Sequence, residues 1–450
     1  MSGLRRELGL LDTTFVVMGG IIGVGIFVNP GSVVRIVEHP GLAMLAWLVG
    51  GGLALIGGLS YAEIGSRLPY VGGQYVYLAR GWHPMVGYLY GISKLFIVNA
   101  GACAAIGIVF AQQVDSAFVP LGGERIPWVA AAAILVLALI QYFGVRPGKH
   151  TNNLLMAAKL VGIAAILGLA AWKAPAAANR FLPLPASFGM DGPSLSLLFA
   201  ALVPVLFAYG GWENCSFIAG EIKDPERTLA RGVLLGVFAV VALYLLLNVT
   251  YLWVLPADKV ASSTALGADV AEALVGKGGR VFMAGLIGIS CLGILSVVLL
   301  TGPRLFYAMA NEGLFFARFA RLHPRYRTPS FAIAIQALAA LALVFTNTFD
   351  QLLSWVVFAD WLFFGTTVAT LFRLRHVRAG GYRIFKAPGH PLTTLVFVGM
   401  AYAVVVNCFR TAPQQAIVGA AILACGALLY PLVRRRKAGA GEDPSPPPAS

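Results

Sequence analysis

Charge is scarce in this chain. Only 12% of its residues are Asp, Glu, Lys or Arg while 58% are hydrophobic, and the mean hydropathy of +0.80 is more than a soluble domain of this length could hide from water. Histidine is scarce as well: His39, His83, His150, His323, His376 and His390 fall in loops or at the ends of apolar runs. Neither His-Glu-x-x-His nor Gly-x-Ser-x-Gly occurs, so an intramembrane metalloenzyme or serine hydrolase lacks the cluster its chemistry needs. The chain is read as a non-enzyme, with no metal and no cofactor. Cys103, Cys215, Cys291, Cys408 and Cys425 lack paired spacing and lie inside apolar runs, which makes them small packing residues.

What the chain has in quantity is long apolar runs. A membrane-spanning helix needs about 20 such residues, and about twelve windows qualify: 12–36, 41–66, 84–112, 127–144, 149–172, 196–220, 229–255, 279–311, 328–346, 350–375, 391–410 and 414–433. The expected class is an all-α polytopic membrane protein whose partner is the lipid bilayer. No cleavable leader is expected ahead of the first run. The formal charge of +14 does not point to nucleic acid, because the basic residues collect in loops on one side. With the N-terminus inside, that side holds Arg67, Arg80, Arg146, Lys149, Lys223, Arg227 and the run Arg434 to Lys437, whereas the opposite loops hold Arg35, Arg125, Lys259 and Lys277. The positive-inside rule then places both termini in the cytoplasm. The tail 434–450, rich in Gly, Ala, Pro and Ser, reads as disordered.

Two of the runs are interrupted. Gly19, Gly20, Gly23 and Gly25 lie inside the first, in the stretch Gly19-Gly20-Ile21-Ile22-Gly23-Val24-Gly25-Ile26-Phe27. Each glycine costs a helix roughly 1 kcal/mol relative to alanine, and unpaired backbone in hydrocarbon costs several kcal/mol per group. Such a break is tolerated where the freed N–H and C=O groups line a cavity and meet a ligand. The sixth run repeats the feature in Phe207-Ala208-Tyr209-Gly210-Gly211-Trp212-Glu213. Equivalent positions in two five-span units, 12–172 and 196–375, followed by two further spans at 391–433, would bring the breaks together at the bilayer midplane if the units are inverted. A half-helix starting near Val24 offers N–H groups and a positive dipole end to a carboxylate. Carbonyls released at Ile21, Phe207 and Gly210 suit an ammonium. Together they suit a zwitterion.

At these residues the chain resembles the amino acid-polyamine-organocation (APC) superfamily, and within it the bacterial amino acid permeases near the L-type amino acid transporters. Gly23 to Phe27 is similar to that family's first-helix motif and Phe207 to Trp212 to its sixth-helix motif. Tyr61-Ala62-Glu63 with Gly72-Gly73-Gln74-Tyr75, Pro303-Arg304 with Tyr307 to Ala310, and Phe358-Ala359-Asp360-Trp361 also fall where the family has similar strings. The resemblance covers residues 5–433 and implies a LeuT-type fold, five plus five inverted spans and two more, carrying amino acids by alternating access. It implies that Phe207 is an aromatic lid, or gate, and that Ile21, Val24, Gly25 and Gly210 hold the amine and carboxylate. Gly20, Ile22, Gly23, Ala208 and Tyr209 complete the expected substrate site. Where some relatives carry a hydroxyl residue this chain has Val24, so carboxylate contact there must be main-chain.

Lys159 lies ten residues into the window starting at 149, about 15 Å deep at 1.5 Å per residue. The resemblance implies that such a lysine takes the place of a sodium ion and links the fifth span to the first and eighth; Ser290 and Glu213 are the further coupling candidates. It would be a fixed ammonium in an exchanger or a titrating group in a proton symporter. Lys94 is similarly deep and must pair with an acid or face an aqueous path, with Glu213 and Asp360 available. Glu63 is expected to pair with Arg67 one turn on. The small, apolar lining of Gly20, Ile21, Val24, Ala208, Gly210, Ser290 and Cys291 favours a neutral amino acid, although Glu213 leaves a cationic amino acid or polyamine open. An ion channel is the alternative from another class, and the absence of a repeated filter weighs against it.

Overall fold

The computed structural model describes residues 6–68, 70, 72–173, 192–263, 265–346, 349–376, 385–411 and 413–438. Helices dominate them in chain order: α1 (Leu10–Ile21), α2 (Gly25–Val37), α3 (Pro40–Arg67), α4 (Gln74–Gly81), α5 (Pro84–Ser93), a π-helical turn over Lys94–Val98, α6 (Asn99–Ala117), α7 (Ile126–Tyr142) and α8 (Val145–Lys173). The second half holds α9 (Gly192–Ala208), α10 (Asn214–Phe217), α11 (Pro225–Val254), α12 (Ala257–Ser262), α13 (Leu266–Val275), α14 (Lys277–Asn311), α15 (Ser330–Thr346), α16 (Phe349–Ala369), α17 (Leu371–Leu374), α18 (Leu392–Thr411) and α19 (Pro413–Ala438). The only extended pairing among the described residues is a single bridge between Leu8 and Ile222. Nine of the described helical segments are long and apolar enough to cross a membrane, ten if α1 and α2 count as one span bent by 43°. The protein is therefore an all-α polytopic membrane protein.

Local chemistry sets several boundaries. α3 and α5 both begin His-Pro: the imidazole Nδ1 of His39 accepts from Gly41 N–H and that of His83 from Met85 N–H, while Pro40 and Pro84 occupy the first helical position. The proline has no N–H to leave unpaired and its ring presets the helical φ, so two of the scarce histidines are N-caps. The sixth run departs from the expected window of 196–220. Its first helix ends at Ala208, and after Gly210-Gly211 only the four residues of α10 and a 3₁₀ turn, Ala219–Glu221, follow. At the far end α19 continues to Ala438, past the expected boundary at 433. The remainder of the tail expected to be disordered lies outside the described residues.

Burial separates centre from periphery. The apolar window of α14 is 78% buried within the protein, against 28% for α8 and 22% for α19, so α14 is the central post and the others present apolar flanks to lipid. α14 packs on α6, α8, α15 and α1. Trp128, Leu154, Trp172 and Leu428 project from the outer surface, as expected where the solvent is hydrocarbon. Four of the cysteines are buried packing residues; Cys425 departs from that expectation and is exposed on the outer face.

Candidate functional site

The first break is made by the loss of one turn of hydrogen bonding. The last α1 bond runs from Ile22 N–H to the Met18 carbonyl, the chain turns through Gly23, and α2 restarts at Gly25 with Val24 as N-cap. Val24 supplies no capping side chain, so the amides of the first α2 turn are the orphan donors that every helix start leaves. In the sixth run Gly210 N–H reaches back to the Phe207 carbonyl at 3.2 Å, and Gly211 takes φ +106°, a conformation that glycine adopts without a Cβ penalty.

The two breaks touch backbone to backbone. A Cβ on Gly20 would lie 2.6 Å from the Gly211 carbonyl oxygen, and one on Gly211 would run into the Gly20 carbonyl. Tyr244 of α11 ties them further, its hydroxyl lying 2.9 Å from the Ile21 carbonyl and 3.2 Å from that of Ala208. The Ile21 carbonyl, expected to be free for an ammonium, is thus already engaged by a phenol. The Ile22 carbonyl has its own donors: Ser290 Oγ at 3.0 Å and the Nζ of Lys159. Lys159 is fully buried and makes no ion pair among the described residues. Its ammonium joins α8 to the first break, and Ser290 joins α14 to the same oxygen.

Around the junction lies a cavity of about 150 Å³, smaller than the roughly 300–1,000 Å³ of drug-sized sites. Gly20, Ile21, Gly23, Val24 and Gly25 line it from the first break, and Phe207, Ala208 and Gly210 from the sixth run. Ile22, Ser290 and Cys291 are not on its wall; Ser290 and Lys159 both donate to the Ile22 carbonyl instead. Tyr209 also faces away. Its ring packs against Trp47 and Tyr244, with centroids 5.6 and 5.0 Å distant, and its hydroxyl lies 3.4 Å from the Trp47 carbonyl.

Sequence reasoning missed the opposite wall, which Asn99, Ala102 and Ala105 of α6 and Trp361 and Phe364 of α16 supply. The available signal was Lys94, one turn before Asn99. Its ammonium lies 2.8 Å from Asp360 Oδ1 and 3.5 Å from Glu213 Oε1, and all three residues line the cavity. Lys94 thus does both things that were open to it: it pairs with acids and faces the cavity. Glu63 pairs with Arg67 at 2.9 Å and also with Arg375 at 2.6 Å, well away from the cavity. No group of His, Cys, Asp and Glu that could hold a metal occurs among the described residues.

A break in the first span and another in the sixth run, meeting at a small cavity inside an all-α membrane protein, fit a membrane carrier. The chain belongs to the amino acid permease family, whose profile, described as "Amino acid permease", matches residues 8–429. It is 30% identical to the serine/threonine exchanger SteT of Bacillus subtilis (strain 168), across 97% of this chain and 99% of that protein. It is 29% identical to the human b(0,+)-type amino acid transporter 1, over 90% of this chain and 84% of the relative. The human large neutral amino acids transporter small subunit 2 is also 29% identical, over 83% and 70%. The protein is an amino acid transporter of the APC superfamily, not an enzyme.

Proposed function

We propose that this transporter is a sodium-independent exchanger of small neutral amino acids that works by alternating access about the paired breaks. The observation that carries the reading is the Ile22 carbonyl held by Lys159 and Ser290: a resident ammonium occupies a carbonyl position at which a coupling cation would otherwise be bound. The substrate carboxylate docks on main-chain N–H groups at the start of α2, and its ammonium on the Gly210 carbonyl of the sixth-run break, because Tyr244 already reaches the carbonyls of Ile21 and Ala208 and the Gly210 amide reaches that of Phe207. Phe207 is the lid. Gly20, Gly23, Val24, Gly25, Ala208 and Gly210 shape the pocket, whereas Ile22 and Tyr209 support it from behind. The small cavity and the exchange activity named for the Bacillus relative support a small substrate and exchange over proton symport.

The same reading assigns 12–172 and 196–375 as two inverted five-span units, with 391–433 as additional spans and both termini in the cytoplasm. The test is uptake of radiolabelled serine, alanine and leucine into proteoliposomes, with and without internal amino acid, with sodium replaced by choline, and with an imposed pH gradient. Exchange predicts uptake that requires internal amino acid and ignores sodium and pH. Uptake into empty vesicles driven by an inward proton gradient would replace exchange with symport. Selective ionic current without amino acid uptake would replace the carrier with a channel.

A further inference from the structure

The Lys94 ammonium sits in what is chemically an ammonium-binding site. Asp360 Oδ1 and Glu213 Oε1 lie 2.8 and 3.5 Å from it, and the rings of Tyr90 and Phe217 lie 5.7 and 5.9 Å away. Two acidic oxygens and two aromatic rings are the groups by which proteins recognise organic cations. Lys94 is 2% exposed, and the acids line the same cavity as the two glycine breaks. The second oxygen of the Glu213 carboxyl is buried without a hydrogen-bond partner among the described residues. A buried acceptor without a donor is incomplete.

We propose that Lys94 is a built-in substitute for a substrate's cationic side chain, so that it sets specificity by filling the cationic subsite from within. A lysine or arginine substrate would have to place a second cation beside the Lys94 ammonium, inside a cavity where like charges are poorly screened. A hydroxyl side chain carries no charge and meets no such repulsion. The transporter therefore takes neutral amino acids, hydroxyl-bearing ones included, and excludes cationic ones until Lys94 is removed. This inference deepens the proposed neutral amino acid exchange and rests on it.

The test compares wild type, Lys94→Ala and Lys94→Arg in proteoliposomes loaded with unlabelled serine, measuring uptake of labelled L-serine and L-lysine. It also compares thermal melting of the purified proteins with and without n-butylammonium, a mimic of the lysine side chain. In Lys94→Ala the ratio of lysine to serine uptake should rise by about tenfold or more, while Lys94→Arg keeps the wild-type ratio. n-Butylammonium should raise the melting temperature of Lys94→Ala and leave wild type unchanged. If Lys94→Ala is recovered folded only when n-butylammonium is present during extraction, the vacated cation site is supported as well. The proposal falls if Lys94→Ala keeps the wild-type uptake ratio, or if n-butylammonium neither stabilises nor recovers it. Failure of wild type to exchange any neutral amino acid would instead count against the proposed function, and the melting shift judges the cation site without reference to transport.

Discussion

Single residues at the junction have narrow tolerances, and the physical reason differs from one to the next. Lys159 is a long cationic side chain whose whole partner set among the described residues is one main-chain oxygen. Replacing it with alanine removes the charge and leaves the Ile22 carbonyl with Ser290 alone. Initial uptake by Lys159→Ala should fall by about tenfold or more, the order expected when a buried charge-assisted bond of about 1.5–3 kcal/mol is lost. Size-exclusion profiles must remain monodisperse for the comparison, and unchanged uptake would remove this lysine from the mechanism. Gly20 and Gly211 fail for a steric reason. The atom that a new Cβ at Gly20 meets is the Gly211 carbonyl at 2.6 Å, backbone that cannot rotate away, and at Gly211 the positive φ adds about 1 kcal/mol of strain or more. Both Gly20→Ala and Gly211→Ala should insert in the membrane yet transport poorly and melt lower, whereas Gly123→Ala, with open space around it, should match wild type in both assays.

At the scale of elements, tethers between helices decide whether the two breaks stay in register. The Tyr244 hydroxyl from α11 reaches one carbonyl of each break. Tyr244→Phe should lower stability by about 1–3 kcal/mol, the cost of leaving buried acceptors unsatisfied, and should slow uptake with little change in fold by circular dichroism. On the other side of the sixth-run break, Arg304 of α14 pairs with Glu221 at 3.2 Å, both fully buried. Removing one partner leaves an uncompensated buried charge, so Arg304→Met should cost about 3–5 kcal/mol while Arg304→Met with Glu221→Leu recovers most of it, as read by thermal melting. The breaks themselves were legible because glycines inside an apolar run contradict the propensity of everything around them. The wall supplied by α6 and α16 was not. A helix that is apolar on most sides carries no stripe to show which face turns inward, so Ala102 and Ala105 carried no mark, and the string around Asp360 and Trp361 did not show that it faces the cavity. Tyr209 and Ile22 went astray for a related reason: at an unwound backbone the direction of a side chain follows local turns, not the helical period.

At the scale of the whole molecule, the long apolar helices were legible from run length and hydropathy, although nine or ten of the described helical segments, against about twelve expected runs, are long and apolar enough to cross; orientation across the bilayer rests on where the basic residues lie. The exposed loop at Gly122 and Gly123 follows α6, and the exposed Arg325 lies between α14 and α15. If positive charge is retained on the inner side, these two sites face opposite compartments, with Gly123 outside and Arg325 inside. Single cysteines at Gly123 and Arg325, placed in a Cys425→Ser background because Cys425 is the exposed native thiol, separate the two orientations. The other native thiols are buried and contribute little labelling. In intact cells a membrane-impermeant maleimide should label Gly123→Cys and spare Arg325→Cys, with both labelled after permeabilisation. The reverse pattern would invert the assigned topology, placing the loops that carry Arg67, Arg146 and Lys223 outside. It would also mean that the basic loops do not govern insertion of this chain. Labelling of both sites in intact cells would show that Gly123 and Arg325 share a side, which five crossings, by α7, α8, the interrupted sixth run, α11 and α14, forbid; the proposed crossing by the sixth run would then have to change.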